Sequence, residues 1–259
     1  MSNQPPVLME KNDGIGIIIL NRVKEKNTFT PEFAKLLTQY LKEMDENDEI
    51  RVVVIKANGK HFSTGISLDE FPGKTIGEYR TLIEQMDEHN HTIANMKKPV
   101  IACVNGFAIA NGAGLVFASD MAIAAESAKF GTTAINVGLI CLGPAVPLSK
   151  LVSRKKLFEM VLGGDIISAA EAEKIGLINR VVPDDELESA TMELAAKLAA
   201  KSPLAMECGK KGLYGMTDLP YHQALDYLGE LFASLCATED AAEGLKAFTE
   251  RRKPEWKKR

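Results

Sequence analysis

An α/β fold with mainly parallel strands is predicted by three features. Continuous apolar runs of strand length occur at 52–57 and 100–104, helical patterns of crossover length separate such runs, and Gly-rich loops stand where a run gives way to a helix. The elements follow in order. Residues 7–10 and 15–20 read as two strands joined through Lys11, Asn12, Asp13 and Gly14, a hairpin signal. A polar loop covers 21–30. Thr30 then reads as an N-cap with Pro31 at the first helical position, and Phe33, Leu36, Leu37, Leu41 and Met44 repeat at helical spacing up to about Asp45. A strand at 52–57, a helix over about 76–97 and a strand at 100–104 continue the alternation, followed by a short helix at 111–117 and strands at 121–125 and 129–131.

After Pro144 helical patterns dominate, at 145–152, 155–162, 169–175, 185–201 and 204–213, with two final helices starting near Leu219 and Asp240; only 178–182 reads as extended. The division expected is a core over residues 1–200 and a helical region over 201–259 whose apolar positions Leu228, Leu231, Phe232 and Leu235 call for a partner surface.

Composition narrows the function classes. The 259 residues are 46% hydrophobic and 25% charged, the balance of a folded globular chain. A net charge of -4, with Lys and Arg scattered until the final RRKPEWKKR, provides no broad basic surface for nucleic acid, and the basic end reads as a solvated helix terminus. Cys103, Cys141, Cys208 and Cys236 show no CxxC spacing, so neither a zinc site nor a disulfide framework is expected. No stretch reaches the roughly 20 apolar residues of a membrane span, and the opening MSNQPPVLMEKNDG has no apolar run of the signal-peptide kind; a cytoplasmic location is expected.

Two strand-to-helix switches could carry chemistry: HFSTGISL at 61–68 and NGFAIANGAGL at 105–115. Each leaves backbone N–H groups free at a helix start, beside the positive end of the helix dipole, and two such groups aimed at one point form an oxyanion hole. Gly65, Gly112 and Gly114 equally suit tight turns and close helix approach. Neither stretch is a GxxxxGK[ST] or GxGxxG loop, and Ser63 and Ser67 stand outside a GxSxG elbow, which removes nucleotide hydrolysis and serine-hydrolase chemistry.

LeuAsnArg at 20–22 with Asn27, then HFSTGISLDEF, KPVIACVNGFAIANGAGL, SDMAIAAESAKFG and GDIISAAEAEKIGLINRVVP, resemble the enoyl-CoA hydratase/isomerase (crotonase) family in order and spacing, from about residue 7 to the end. Residues 136–141, NVGLIC, are similar to its enoyl-CoA hydratase domain-containing subgroup. The resemblance implies a crotonase-like spiral of β-β-α repeats with a C-terminal helical trimerisation region, hence a homotrimer or hexamer, and no cofactor beyond the coenzyme A of the substrate. It places the thioester carbonyl on the backbone N–H groups of Ile66 and Asn111, where asparagine stands for the family's usual glycine and tolerates positive φ. The CoA moiety falls to Lys24 and Lys26 near its phosphates and the Thr64 carbonyl near its adenine. Ser67, Leu68, Phe107 and Gly112 fall along the pantetheine and acyl path.

The departures matter as much. The two glutamates that hydratases of the family use correspond to Gly114 and Ala134, and the carboxylate of several isomerases falls near Leu142. A base and an acid are each worth typically ~10²- to 10⁴-fold, so ordinary hydratase activity is expected to be weak or absent. Cys141 near the acyl site reads as inert apolar filling, His61 as a loop or ligand-rim residue, and Asp120 and Glu126 as structural. Three readings remain: an enzyme stabilising a thioester enolate mainly through the oxyanion hole, a non-catalytic acyl-CoA-binding or regulatory protein, or a generic α/β protein that shares the fold alone and binds something else.

Overall fold

The chain is described here by a computed structural model covering residues 4–259; the first three residues of the opening stretch lie outside the described residues. Strands β1 (Val7–Asn12) and β2 (Ile15–Leu20) form the expected hairpin. Asp13 and Gly14 both have positive φ there, the geometry that matches a two-residue turn to strand twist. Strands β3 (Val52–Ala57) and β4 (Val100–Val104) follow, then β5 (Phe107–Ile109), β6 (Met121–Ala125), β7 (Lys129–Gly131), β8 (Ile166–Ser168) and β9 (Arg180–Val182). The main sheet runs β1-β2-β3-β4-β6-β9, parallel except at the β1/β2 hairpin. A smaller sheet, β5-β7-β8, joins one parallel and one antiparallel pair.

Side-chain alternation along the central strands explains their runs. Ile18 and Leu20 of β2 face a core shared with Phe33, Leu37, Leu41 and Met44 of α1 (Pro31–Glu46). Ile15, Ile17 and Ile19 face a second core closed by Leu187 and Ala195 of α7 (Leu187–Ala199). Because both faces are covered, the runs are apolar apart from Lys56 near the end of β3, which is half-buried and pairs with Glu188. Thr30 caps α1 as expected, its Oγ1 accepting from Phe33 N at 3.3 Å. Helix α2 (Ile76–Asn95) begins with a reciprocal capping box between Thr75 and Glu78.

The helices α3 (Asn111–Ala118), α4 (Leu142–Leu151), α5 (Arg154–Gly163) and α6 (Ala169–Lys174) lead to α7, and α8 (Pro203–Met216), α9 (Tyr221–Cys236) and α10 (Glu239–Thr249) close the chain. Strands β5 and β8 correct the sequence reading, which had a turn at 105–106 and a single extended stretch after Pro144. Each is three residues long and fixed by pairing with β7, and so short a strand leaves no readable alternation. Helix α4 also starts at Leu142 rather than at 145.

The C-terminal helices are anchored by a buried ion pair. Lys210 Nζ of α8 lies 2.7 Å from Asp120 Oδ2, and that same oxygen accepts from Val100 N at 2.7 Å. Tyr214 OH donates to Asp120 Oδ1 at 3.1 Å. Asp120 is thus structural here, joining α8 to the edge of β4. The basic end is no loose terminus: Arg252 pairs with Glu243, Lys258 with Asp48 and Arg259 with Glu239. Buried Asp240 accepts from the N–H groups of Lys257 and Lys258, and Trp256 Nε1 donates to Ala200 O, so the tail folds back. Leu228 and Leu231 of α9 rest near Gly212 of α8, whereas Phe232 is 66% exposed.

Candidate functional site: two strand-to-helix switches in contact

The loop after β3 is stitched into place by Asn27, whose Nδ2 donates to the carbonyls of Asn58 at 3.0 Å and His61 at 2.8 Å. Ser63 Oγ returns a bond to Asn27 O at 2.7 Å. Short parallel bridges then tie Phe29 to Ile66 and Ser63 to Ala108, bringing the first switch against the second. Phe29 N donates to Gly65 O and Ser67 N to Phe29 O, which leaves the Ile66 N–H pointing away from this ladder with no acceptor among the described residues.

The second switch turns at Ala110, whose N–H donates to Gly131 O and whose φ of 49° and ψ of -125° re-aim the chain into α3. The positive φ therefore belongs to Ala110, and Asn111 is already helical; the tolerance sought at Asn111 is exercised one residue earlier. As the first residue of α3, Asn111 has an N–H without an intrahelical partner, and no other described group accepts it.

The two switches nearly touch. A Cβ built on Gly65, itself at φ +91°, would stand 3.4 Å from Asn111 N and 2.7 Å from Ala110 Cβ. On Gly112 a Cβ would collide with the Ser63 carbonyl. Both glycines are thus required for close approach, and Gly65 also for its dihedral. Two unpartnered N–H groups on adjacent elements, one at a helix start, are donors of the kind that can receive an oxygen gaining negative charge.

Around this centre the other sequence-derived residues are placed as follows. Thr64 N donates to Lys26 O at 3.2 Å, and the Thr64 carbonyl accepts nothing among the described residues. Lys24 and Lys26 are exposed on and just after the 3-10 turn Val23–Glu25. Ser67 precedes the 3-10 turn Leu68–Glu70, where Leu68 is 62% exposed. Phe107 stacks on His61 with ring centroids 5.0 Å apart, and its N–H donates to His61 Nδ1 at 3.3 Å. Burial, then Lys60 and Lys26, push the His61 imidazole below its ordinary range, so it stays neutral and holds the loop.

Pro144 of α4 fills the space beside Gly114, its Cγ lying 2.9 Å from where a Gly114 Cβ would stand. Ala134 sits in the 3-10 turn Thr133–Val137, and Leu142 is 65% exposed. Cys141 is buried against the Ala134 backbone, and burial pushes its thiol up, the opposite of a reactive thiolate. Glu126, exposed at the end of β6, is not drawn into the site. Sequence reading passed over Asp87, in the polar stretch EQMDEHNH of α2: its Oδ1 accepts from Asn111 Nδ2 at 3.2 Å. Only tertiary contact distinguishes it from its polar neighbours.

Among the described residues no cluster of three or more His, Cys, Asp or Glu could hold a metal ion, and no helix is long and apolar enough to cross a membrane.

The chain belongs to the enoyl-CoA hydratase/isomerase family, whose model matches residues 10–259. Within that family it is similar to enoyl-CoA hydratase domain-containing protein 3, mitochondrial. The human protein is 35% identical over 262 residues, covering 98% of this chain and 84% of the relative, and the Mus musculus protein is 34% identical, covering 95% and 82%. A probable enoyl-CoA hydratase of Rhizobium meliloti is 34% identical over 98% of both chains. The crystal structure of a Mycobacterium smegmatis enoyl-CoA hydratase superposes with a TM-score of 0.94 at 33% identity, covering 98% of this chain and 99% of that one. That of human enoyl-CoA hydratase domain-containing protein 3 superposes with a TM-score of 0.93 at 34% identity, covering 97% and 100%.

Proposed function

We propose that this chain binds an acyl-CoA thioester with its carbonyl oxygen on the N–H groups of Ile66 and Asn111 and stabilises the enolate formed there. The observation that carries this reading is that the Ile66 and Asn111 amides, in two loops that meet at Gly65 and Ala110, both lack a partner among the described residues, within a chain of the enoyl-CoA hydratase/isomerase family. Each such donor is worth roughly 10² to 10³ in rate, so the site has chemical power without the usual glutamates. The free Thr64 carbonyl suits the adenine amino group, and Lys24 and Lys26 the CoA phosphates. Ser67, Leu68, Phe107 and Gly112 would line the path of the pantetheine and acyl groups. Coenzyme A enters as part of the substrate, and no further cofactor is needed for this chemistry.

Gly114 and Ala134 carry no carboxylate, and Pro144 closes the space at Gly114, so addition of water to 2-enoyl-CoA is slow or absent in this reading. Leu213, Leu225, Phe232, Leu245 and Phe248 of the last three helices are exposed, and their burial between copies supports a homotrimer or a dimer of trimers. The free cysteines suit a reducing, cytoplasmic setting.

The test is incubation with saturated, 2-enoyl, 3-enoyl, dienoyl, malonyl-type and 3-hydroxyacyl-CoA thioesters in heavy water, read by mass spectrometry. Deuterium uptake without addition of water supports enolate stabilisation. Water addition at an ordinary hydratase rate overturns the reading of positions 114 and 134. Thioesters left unchanged by a protein that CoA nonetheless stabilises would instead favour a non-catalytic acyl-CoA binder.

A further inference from the structure

Asp87 lies where three helices meet. From α2 its carboxylate reaches the side chain of Asn111, whose Nδ2 donates to Oδ1 at 3.2 Å and approaches Met86 O at 3.5 Å. On the other side it rests directly on Gly143 of α4, where any Cβ would collide with both carboxylate oxygens. The next residue, Pro144, covers Gly114, one helical turn along α3 from Asn111. Asp87 thus brings a carboxylate from α2 against Asn111, at the start of the helix whose position 114 carries none.

We infer that Asp87 is the proton-transfer group of this site, exchanging a proton with the carbon next to the thioester carbonyl held on Ile66 and Asn111. The inference rests on the acyl-CoA reading above. Asp87 is half-buried and stands only the length of the Asn111 side chain from the oxyanion hole. Burial raises its carboxyl above the ordinary range, against the Asn111 N–H and nearby His91, both of which favour the anion. The titratable groups facing it are His91 on its own helix and, at the start of α4, the Cys141 thiol, itself pushed up and uncharged. A carboxylate less acidic than usual is a better base and is suited to giving the proton back.

The step balances without a co-reactant. The Asp87 carboxylate takes the C2 proton, the C–H pair forms the C1–C2 double bond, and the carbonyl pair moves onto the oxygen held by the two amides. Return of a proton to C2 restores the thioester with exchange. With a 3-enoyl thioester, return to C4 instead moves the double bond to C2–C3 with no change in composition.

The experiment uses butyryl-CoA, which can exchange but cannot be hydrated, in heavy water, alongside the thermal shift produced by CoA alone. Expected are deuterium at C2 with the unaltered protein, a loss of about 10² or more with Asp87→Asn, and the same CoA-induced Tm shift in both. Exchange should rise with pH through an ionisation above the ordinary carboxylate range. Asp87→Glu should retain that limb, and the residual rate of Asp87→Asn should lack it. Exchange by Asp87→Asn at the unaltered rate, or with the same pH limb, overturns the proposal, because a residue that merely positions Asn111 would leave the limb in place. Unaltered protein that is stabilised by CoA yet exchanges nothing also overturns it. Absence of any Tm shift with CoA or butyryl-CoA would overturn the acyl-CoA reading itself, and Asp87's role with it.

Discussion

His89 makes stability depend on pH in a way that can be worked from its surroundings. It lies on α2 only 2% exposed, its ring 5.6 Å from that of Phe29, and neither ring nitrogen makes a hydrogen bond of good geometry. Burial pushes the imidazole from an ordinary 6.5 down to about 4, opposed weakly by the Met86 carbonyl. The native ring therefore stays neutral where the unfolded ring is protonated. Between about pH 6.5 and 4 the unfolded chain binds the extra proton, so stability rises with pH across this window and is complete above it. At about 1.4 kcal/mol per pH unit, the gap corresponds to about 3 kcal/mol lost by pH 4. His89→Leu removes the titrating group and fills the site with an apolar side chain. Urea titrations at pH 7.5 and pH 4.5 should show the variant at least as stable as the unaltered protein at the higher pH and more stable by about 2 kcal/mol at the lower. Taking the difference between the proteins cancels common groups such as Asp87, whose raised carboxyl acts with opposite sign. Parallel pH dependence in the two proteins would refute the assignment of a neutral, unsolvated His89.

Other perturbations probe the site and its anchors. Gly112→Val forces α3 away from the Ser63 carbonyl; a loss of about 1–3 kcal/mol in denaturant and disappearance of the CoA-induced Tm shift are expected, as they are for Gly65→Val at φ +91°. Ala110→Gly relieves a positive φ that costs about 1–2 kcal/mol and gives back part of that in chain entropy, so Tm should rise slightly with CoA binding retained. Asp120→Ala strands the Lys210 ammonium, which burial already drives toward neutrality, and should cost about 3–5 kcal/mol by chemical denaturation. Adding Lys210→Met should recover much of that loss, since an apolar side chain leaves no unpaired charge.

The candidate site was legible to different depths. The glycines at 65 and 112 and the strand-to-helix switches could be found because a loop that turns sharply into a helix restricts residue type locally. Ala110 was not singled out, since alanine carries no signal of left-handed backbone; the pairing of its N–H with Gly131 and the start of α3 impose that geometry. The short strand β8 stayed invisible because three residues pair only when the distant β7 reaches them.

By itself the sequence determined the central strands, the capped helices and the family. Burial on two faces, helix capping and family matching are all written in runs or spacings of residue types along the chain. Tertiary structure alone decided which polar groups meet: Asp87 with Asn111 and Gly143, Asp120 with Lys210, and His89 left without a partner. The physical reason is that desolvation and charge pairing depend on what stands within a few ångströms in space, and residues 24 to 90 positions apart supply those neighbours.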